Sequence, residues 1–240
     1  ASALTFFPSP LRRTLSRNPT ADTLPVSGSR PASPPRWVSV PLRRVPAVLD
    51  LLLPPRCALC RRTGTPLCAP CTARLPPAPH VAPPPGFEDC AALVAYEGAA
   101  KELVAALKFA NHRDAVRVLG AAMAALVRVR VDVVTWAPTT GARRRSRGYD
   151  QSRLLAEAVA PVLGVPCRRL LEREGSWNQT GHDRAARLEG PRFRAAGVPP
   201  GRVLLVDDVR TTGATLCAAA DTLLEAGAGS VAGLTLAVTL

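Results

Sequence analysis

A chain of 240 residues with a formal net charge of +13 has room for one α/β domain of ordinary size and a small appendage, not for two large cores. The charge is only partly a sign of an anionic partner. All but Lys101 and Lys108 of the 31 basic residues are Arg, as a GC-rich genome would give, and seven Arg crowd residues 1–48 against the single acid Asp22. No window reaches the roughly 18 consecutive apolar residues of a membrane span, and the start lacks the apolar stretch of a secretory signal, so a cytoplasmic protein without a membrane span is expected.

Residues 1–44 are rich in Pro, Ser and Arg without apolar periodicity and are expected to be a disordered tail; an Arg-rich targeting peptide or an early start codon are the other readings. Val45–Leu53 reads as one helix or turn leading into a zinc module over 45–75. There Cys57-x-x-Cys60, seven residues, then Cys68-x-x-Cys71 supply four thiolates at the spacing of a tetrahedral structural zinc site, with a redox dithiol as the rival. Cys90, Cys167 and Cys217 stand alone and are expected to be buried small residues. The Pro-rich stretch 76–88 reads as a linker.

From Asp89 to Leu240 short apolar runs alternate with amphipathic stretches. Strands are expected at Cys90–Ala95, Val131–Ala137, near Val165–Leu171, at Arg202–Val206 and at Ser230–Val238. Helices are expected at Ala99–Lys108, Asp114–Val127, Gln151–Val162 and Ala214–Ala226. The alternation implies a mainly parallel sheet with helices on both faces, and a ligand at the carboxyl ends of its strands. Ser230–Leu240 reads as an edge strand open to a homodimer.

Three segments carry the chemistry. Val203-Leu204-Leu205-Val206-Asp207-Asp208-Val209-Arg210-Thr211-Thr212-Gly213-Ala214-Thr215 places two acids after a buried strand and a Thr/Gly loop at a helix start. Amides there can converge on a phosphate, and adjacent carboxylates can accept from neighbouring ribose hydroxyls. The second, Pro138–Gly148, reads as a loop whose Arg143, Arg144, Arg145 and Arg147 could clamp a pyrophosphate, although an Arg run is also common on a solvated surface. In the third, Asp150 is a candidate N-cap that aims Arg147 at the pocket, and little is expected to depend on Arg210. Tyr96 and Lys108 are as readily structural as substrate-facing.

The Asp207 segment resembles the phosphoribosyl-pyrophosphate motif of the type I phosphoribosyltransferases. The resemblance implies that Asp207 and Asp208 hold the ribose hydroxyls, that Thr211, Thr212, Gly213, Ala214 and Thr215 hold the 5′-phosphate, and that Mg²⁺ accompanies the pyrophosphate. Thr211 stands where purine-salvage relatives have Asp, so purine-base salvage is not expected. Over Leu49–Leu240 the chain is similar to the ComF competence family. The likeness rests on the paired cysteines, Tyr96-Glu97-Gly98, Leu107-Lys108-Phe109, Pro138, Arg147-Gly148-Tyr149-Asp150-Gln151, Gln179 with Arg184, Phe193 and the Asp207 motif. Arg187 replaces a usual Asn. The family implies a link to DNA uptake and to uptake proteins. Three readings follow: a phosphoribosyltransferase with Arg143, Arg145 and Arg147 on the leaving pyrophosphate, a non-catalytic binder of a phosphoribosyl group or single-stranded DNA, and a regulator using the pocket as an effector site.

Overall fold

The structure, a computed structural model, describes residues 54–109, 113–174 and 191–239. The expectations for the 1–44 tail and for Val45–Leu53, and the motif residues Gln179, Arg184 and Arg187, lie outside these.

In chain order the elements are α1 (Ala69–Thr72), β1 (Asp89–Ala95), α2 (Gly98–Phe109), α3 (Arg113–Ala124), β2 (Val133–Trp136), α4 (Gly141–Arg147), α5 (Gln151–Leu163), β3 (Leu171–Arg173), β4 (Phe193–Ala195), β5 (Arg202–Arg210), α6 (Ala214–Glu225) and β6 (Ser230–Val238). The main sheet runs β1-β6-β5-β2 with every pairing parallel. Its strands are continuous apolar runs because both faces are covered. Leu204 and Val206 of β5 join the core with Leu119 and Met123 of α3 and Leu155 and Val159 of α5. Val203 and Leu205 join the opposite core with Leu216, Ala219 and Leu223 of α6 and Leu171 and Phe193 of the β3–β4 hairpin. The helix α5 that follows β2 and the helix α6 that follows β5 thus lie on opposite faces, which opens a crevice between the carboxyl ends of these neighbouring strands.

A Cβ at Gly120 of α3 would lie 2.5 Å from the Cβ of Ala158, so the close approach of α3 and α5 needs the bare glycine.

Four expectations are corrected. The strand near Val165–Leu171 does not extend the parallel sheet: Cys167 makes one isolated parallel bridge to Val134, and the chain then forms β3, which pairs antiparallel with β4 in a separate two-stranded sheet. The last strand is no edge, because β6 is hydrogen-bonded to β1 on one side and β5 on the other, and a dimer through its edge is ruled out. β5 runs on through both acids to Arg210, since β6 offers a parallel partner as far as Val238. Cys90, Cys167 and Cys217 are only partly buried.

The 76–88 stretch also packs on the domain. Ala95 N–H donates to the Pro76 carbonyl at 3.0 Å and Glu88 N–H to that of Val231 at 2.9 Å, while Pro77 bridges Val94 and covers the outer edge of β1.

Candidate functional site

The crevice at the ends of β2 and β5 is a cleft of about 340 Å³ whose lining includes Tyr96, Lys108, Arg143, Asp150, Asp207 and Thr211. Asp207 is buried at the cleft floor, where Ser152 Oγ donates to its Oδ1 at 2.7 Å and the Asp208 amide donates at 2.8 Å. Asp208 is held by Lys108, whose Nζ lies 2.9 Å from its Oδ2. Lys108 lies in the last turn of α2, and Tyr149 Oη fixes that end by donating to the Leu107 carbonyl at 2.5 Å.

Burial, then the charge of Asp208, push the Asp207 carboxyl up to about 7, with the Ser152 hydroxyl opposing. Asp150 is raised by burial too, against amide hydrogen bonds from Thr139 and Arg153. It caps α5 as the sequence suggests, accepting from Arg153 N–H, and its second oxygen accepts from Thr139 N–H at 3.0 Å, which ties the 138–140 turn to the helix start.

After β5 the chain turns through Gly213, whose φ of +83° is the left-handed conformation that glycine adopts without penalty, and enters α6. At this end of the sheet the N-cap side chains of Thr140 and Asp150 cap α4 and α5, whereas the N-cap of α6 is Gly213, which has no side chain to do so. The first turn of α6 therefore presents backbone donors beside the cleft, the arrangement suited to an anion. Of the predicted loop residues Thr211 and Thr215 line the cleft; Thr212 instead accepts from Ala214 N–H at 3.4 Å.

The 138–148 segment is a correction: beyond Thr140 it is the helix α4, not a loop. Helical spacing puts Arg143 and Arg147, four residues apart, on the cleft, and turns Arg145 away from it. Arg144 faces an adjoining cleft of about 450 Å³, which shares Pro138, Thr139, Asp150 and Arg173 with the first and adds Trp136, Arg153 and Arg169. Arg210 also departs from expectation. It is buried, its Nη1 donates to Cys90 Sγ at 3.4 Å, and its carbonyl accepts from Thr239, so it is a packing residue of consequence outside the cleft.

Arg173, Ser152 and Thr139 line the cleft and escaped the sequence reading, and Gln151 was read only as part of its motif. Arg173 comes from the hairpin, whose place depends on tertiary packing. Gln151, 4% exposed, has a side-chain oxygen with no hydrogen-bond partner, a signal only coordinates can give.

The four cysteines converge. Their sulfurs all lie within 4.8 Å of one another, and Cys60 Sγ is 3.6 Å from Cys68 Sγ. Thiolates on a tetrahedral zinc, at a Zn–S distance near 2.3 Å, sit ~3.8 Å apart, so this set fits a metal ion. The first pair lies on a turn closed by Arg61 N–H to the Cys57 carbonyl at 2.9 Å, and the second spans the start of α1. Cys57, Cys68, Cys71 and Leu75 share a core with Leu93 and Val94 of β1.

No family model matches the chain. It is 36% identical over 164 residues to an adenine phosphoribosyltransferase of Frankia casuarinae, covering 66% of this chain and 73% of that protein. It is 37% identical over 97 residues to the competence protein ComFC of Streptococcus pneumoniae, covering 39% of this chain and 42% of that one. Among solved structures, a glutamine phosphoribosylpyrophosphate amidotransferase from B. subtilis complexed with ADP and GMP aligns at TM-score 0.38 and 28% identity. That alignment covers 51% of this chain and 26% of the other, so the chain spans about a quarter of that structure's length. With 73% of the Frankia protein matched at 36% identity, the chain belongs to the phosphoribosyltransferase-like family, and the ComF competence proteins are among its relatives.

Proposed function

We propose that the cleft binds 5-phosphoribosyl 1-pyrophosphate with Mg²⁺ and that the protein transfers its phosphoribosyl group, in a role connected with DNA uptake. The observation that carries this reading is the polarity of the cleft: two carboxylates close one side, Arg143 and Arg147 line another, and an uncapped helix start stands beside the acids. A ligand with vicinal hydroxyls between a phosphate and a pyrophosphate matches that order.

In this reading Asp207 and Asp208 accept from the ribose hydroxyls. The amides and hydroxyls of residues 211–215 hold the 5′-phosphate, and Arg143 and Arg147 stabilise the charge that develops on the departing pyrophosphate. The unpartnered Gln151 oxygen gives a bound donor somewhere to bond. Mg²⁺, when bound, neutralises pyrophosphate charge. No protein nucleophile is needed, because the acceptor attacks C1′ directly. The adenine in the name of the Frankia relative is one acceptor to test, against the reading of Thr211. The cysteine set holds zinc, and with four protein ligands it leaves no open position for chemistry.

A single-stranded DNA ligand is the second reading, favoured by the adjoining cleft, where Arg144 adds a cation beside Arg153 and Arg169, which pair with Glu157 and Glu172. Backbone contacts of that kind weaken steeply with salt.

The test is calorimetric titration with phosphoribosyl pyrophosphate and Mg²⁺, followed by pyrophosphate release against a panel of bases and amines that includes adenine. Binding that Asp208→Asn abolishes, with release for one acceptor, supports transfer. Binding without release leaves a sensor, and salt-sensitive DNA binding alone favours the second reading.

A further inference from the structure

Arg173 stands at the end of β3, on the wall that separates the two clefts, and lines both. Its guanidinium is held in place from two directions. Nη1 donates to the Pro138 carbonyl at 3.4 Å, on the turn that leads into α4, and its CZ lies 5.4 Å from the centre of the Phe193 ring on the paired strand β4. No carboxylate lies within ion-pair distance of it among the described residues, whereas Arg153, Arg169 and Arg194 on nearby surfaces are each paired with a Glu. Burial, then the neighbouring Arg143, lower its pKa, and Asp207 and Asp150 oppose that shift from farther off. A half-buried cation fixed beside a second cation, with no acid at ion-pair distance from it, is relieved when an anion comes between the two.

Resting on the reading of the cleft given above, we infer that Arg173 binds the pyrophosphate end of the ligand as the third cation of a clamp with Arg143 and Arg147. The hairpin β3–β4 then has a task beyond covering α6: it delivers a cation beside those of α4 from a separate part of the chain. Its planar fork suits two phosphoryl oxygens at once, which a lysine would not reproduce.

The test compares binding of phosphoribosyl pyrophosphate, inorganic pyrophosphate and ribose 5-phosphate, each with Mg²⁺, to the full chain and to Arg173→Met and Arg173→Lys. Arg173→Met is expected to weaken the first two ligands at least tenfold and to leave ribose 5-phosphate within twofold, with Arg173→Lys recovering part of the loss. Equal weakening of all three ligands would make Arg173 a structural residue, and unchanged affinity for pyrophosphate would remove it from the site; either result overturns the inference. If Arg173→Met fails to fold, Arg173→Lys carries the same comparison, because it keeps the charge and loses the fork. A wild-type chain that binds pyrophosphate through Arg173 but not phosphoribosyl pyrophosphate would defeat the proposed function and leave the anion site standing.

Discussion

The cysteine cluster and the strand-end cleft are built on opposite plans. The cluster brings four identical donors from fifteen consecutive residues to within 4.8 Å, three of the four cysteines being buried. The cleft collects unlike groups, from Tyr96 to Thr215, around a space of about 340 Å³ that stays open. The one arrangement can saturate a metal ion; in the proposed reading, the other awaits a ligand. Losses at the cluster should therefore register as stability, and losses at the cleft as binding.

The sharpest separation comes from Cys71→Ser. Burial, joined by the other three thiols, pushes the Cys71 thiol up to about 12, so four crowded sulfurs do not ionise together without a cation. Structural zinc is worth ~10–16 kcal/mol in small zinc modules, so loss of one ligand or strong chelation should drop the melting temperature by tens of degrees, with metal content read by mass spectrometry. A chelated protein that melts like the untreated one would erase the contrast.

The cleft floor makes the opposite prediction. With its folded pKa raised to about 7 from about 3.9 in the unfolded chain, Asp207 leaves stability intact below pH 4. Stability is lost progressively as pH rises from about 4 through 7 and levels off above that. Asp207→Asn should flatten that dependence and raise the melting temperature at pH 8, while binding of phosphoribosyl pyrophosphate falls at least tenfold. A variant destabilised at pH 8 would mean that the acid serves the fold.

Packing supplies a middle case. Gly120→Ala forces a Cβ to 2.5 Å from that of Ala158 and should cost ~1–3 kcal/mol in denaturant unfolding without changing affinity in the cleft. Lys108→Met leaves Asp208 without its cation; a pair with side chains 20% and 18% exposed is worth ~1–2 kcal/mol, visible as a small shift of the urea midpoint. Arg145→Ala, an exposed residue turned away from the cleft, should stay within ~0.5 kcal/mol in stability and bind ligand as the wild type does, which separates it from Arg143→Ala and Arg147→Ala.

The sequence by itself determined what is local. The Cys-x-x-Cys pairs, the run Val203–Val206 with its two acids, the Asp150 cap and the alternation of strands and helices depend on neighbours a few residues away, and the structure has them. Only the tertiary structure decided which strands lie side by side. It placed β6 between β1 and β5 because a parallel strand buried on both faces can pair along two edges, and hydrophobicity does not reveal which. It folded the Arg run into α4, where a period near four residues selects Arg143 and Arg147 over Arg145. It also carried Lys108 to Asp208 and set Arg173 on the wall of the cleft, contacts spanning from thirty to a hundred residues of chain that no local pattern encodes.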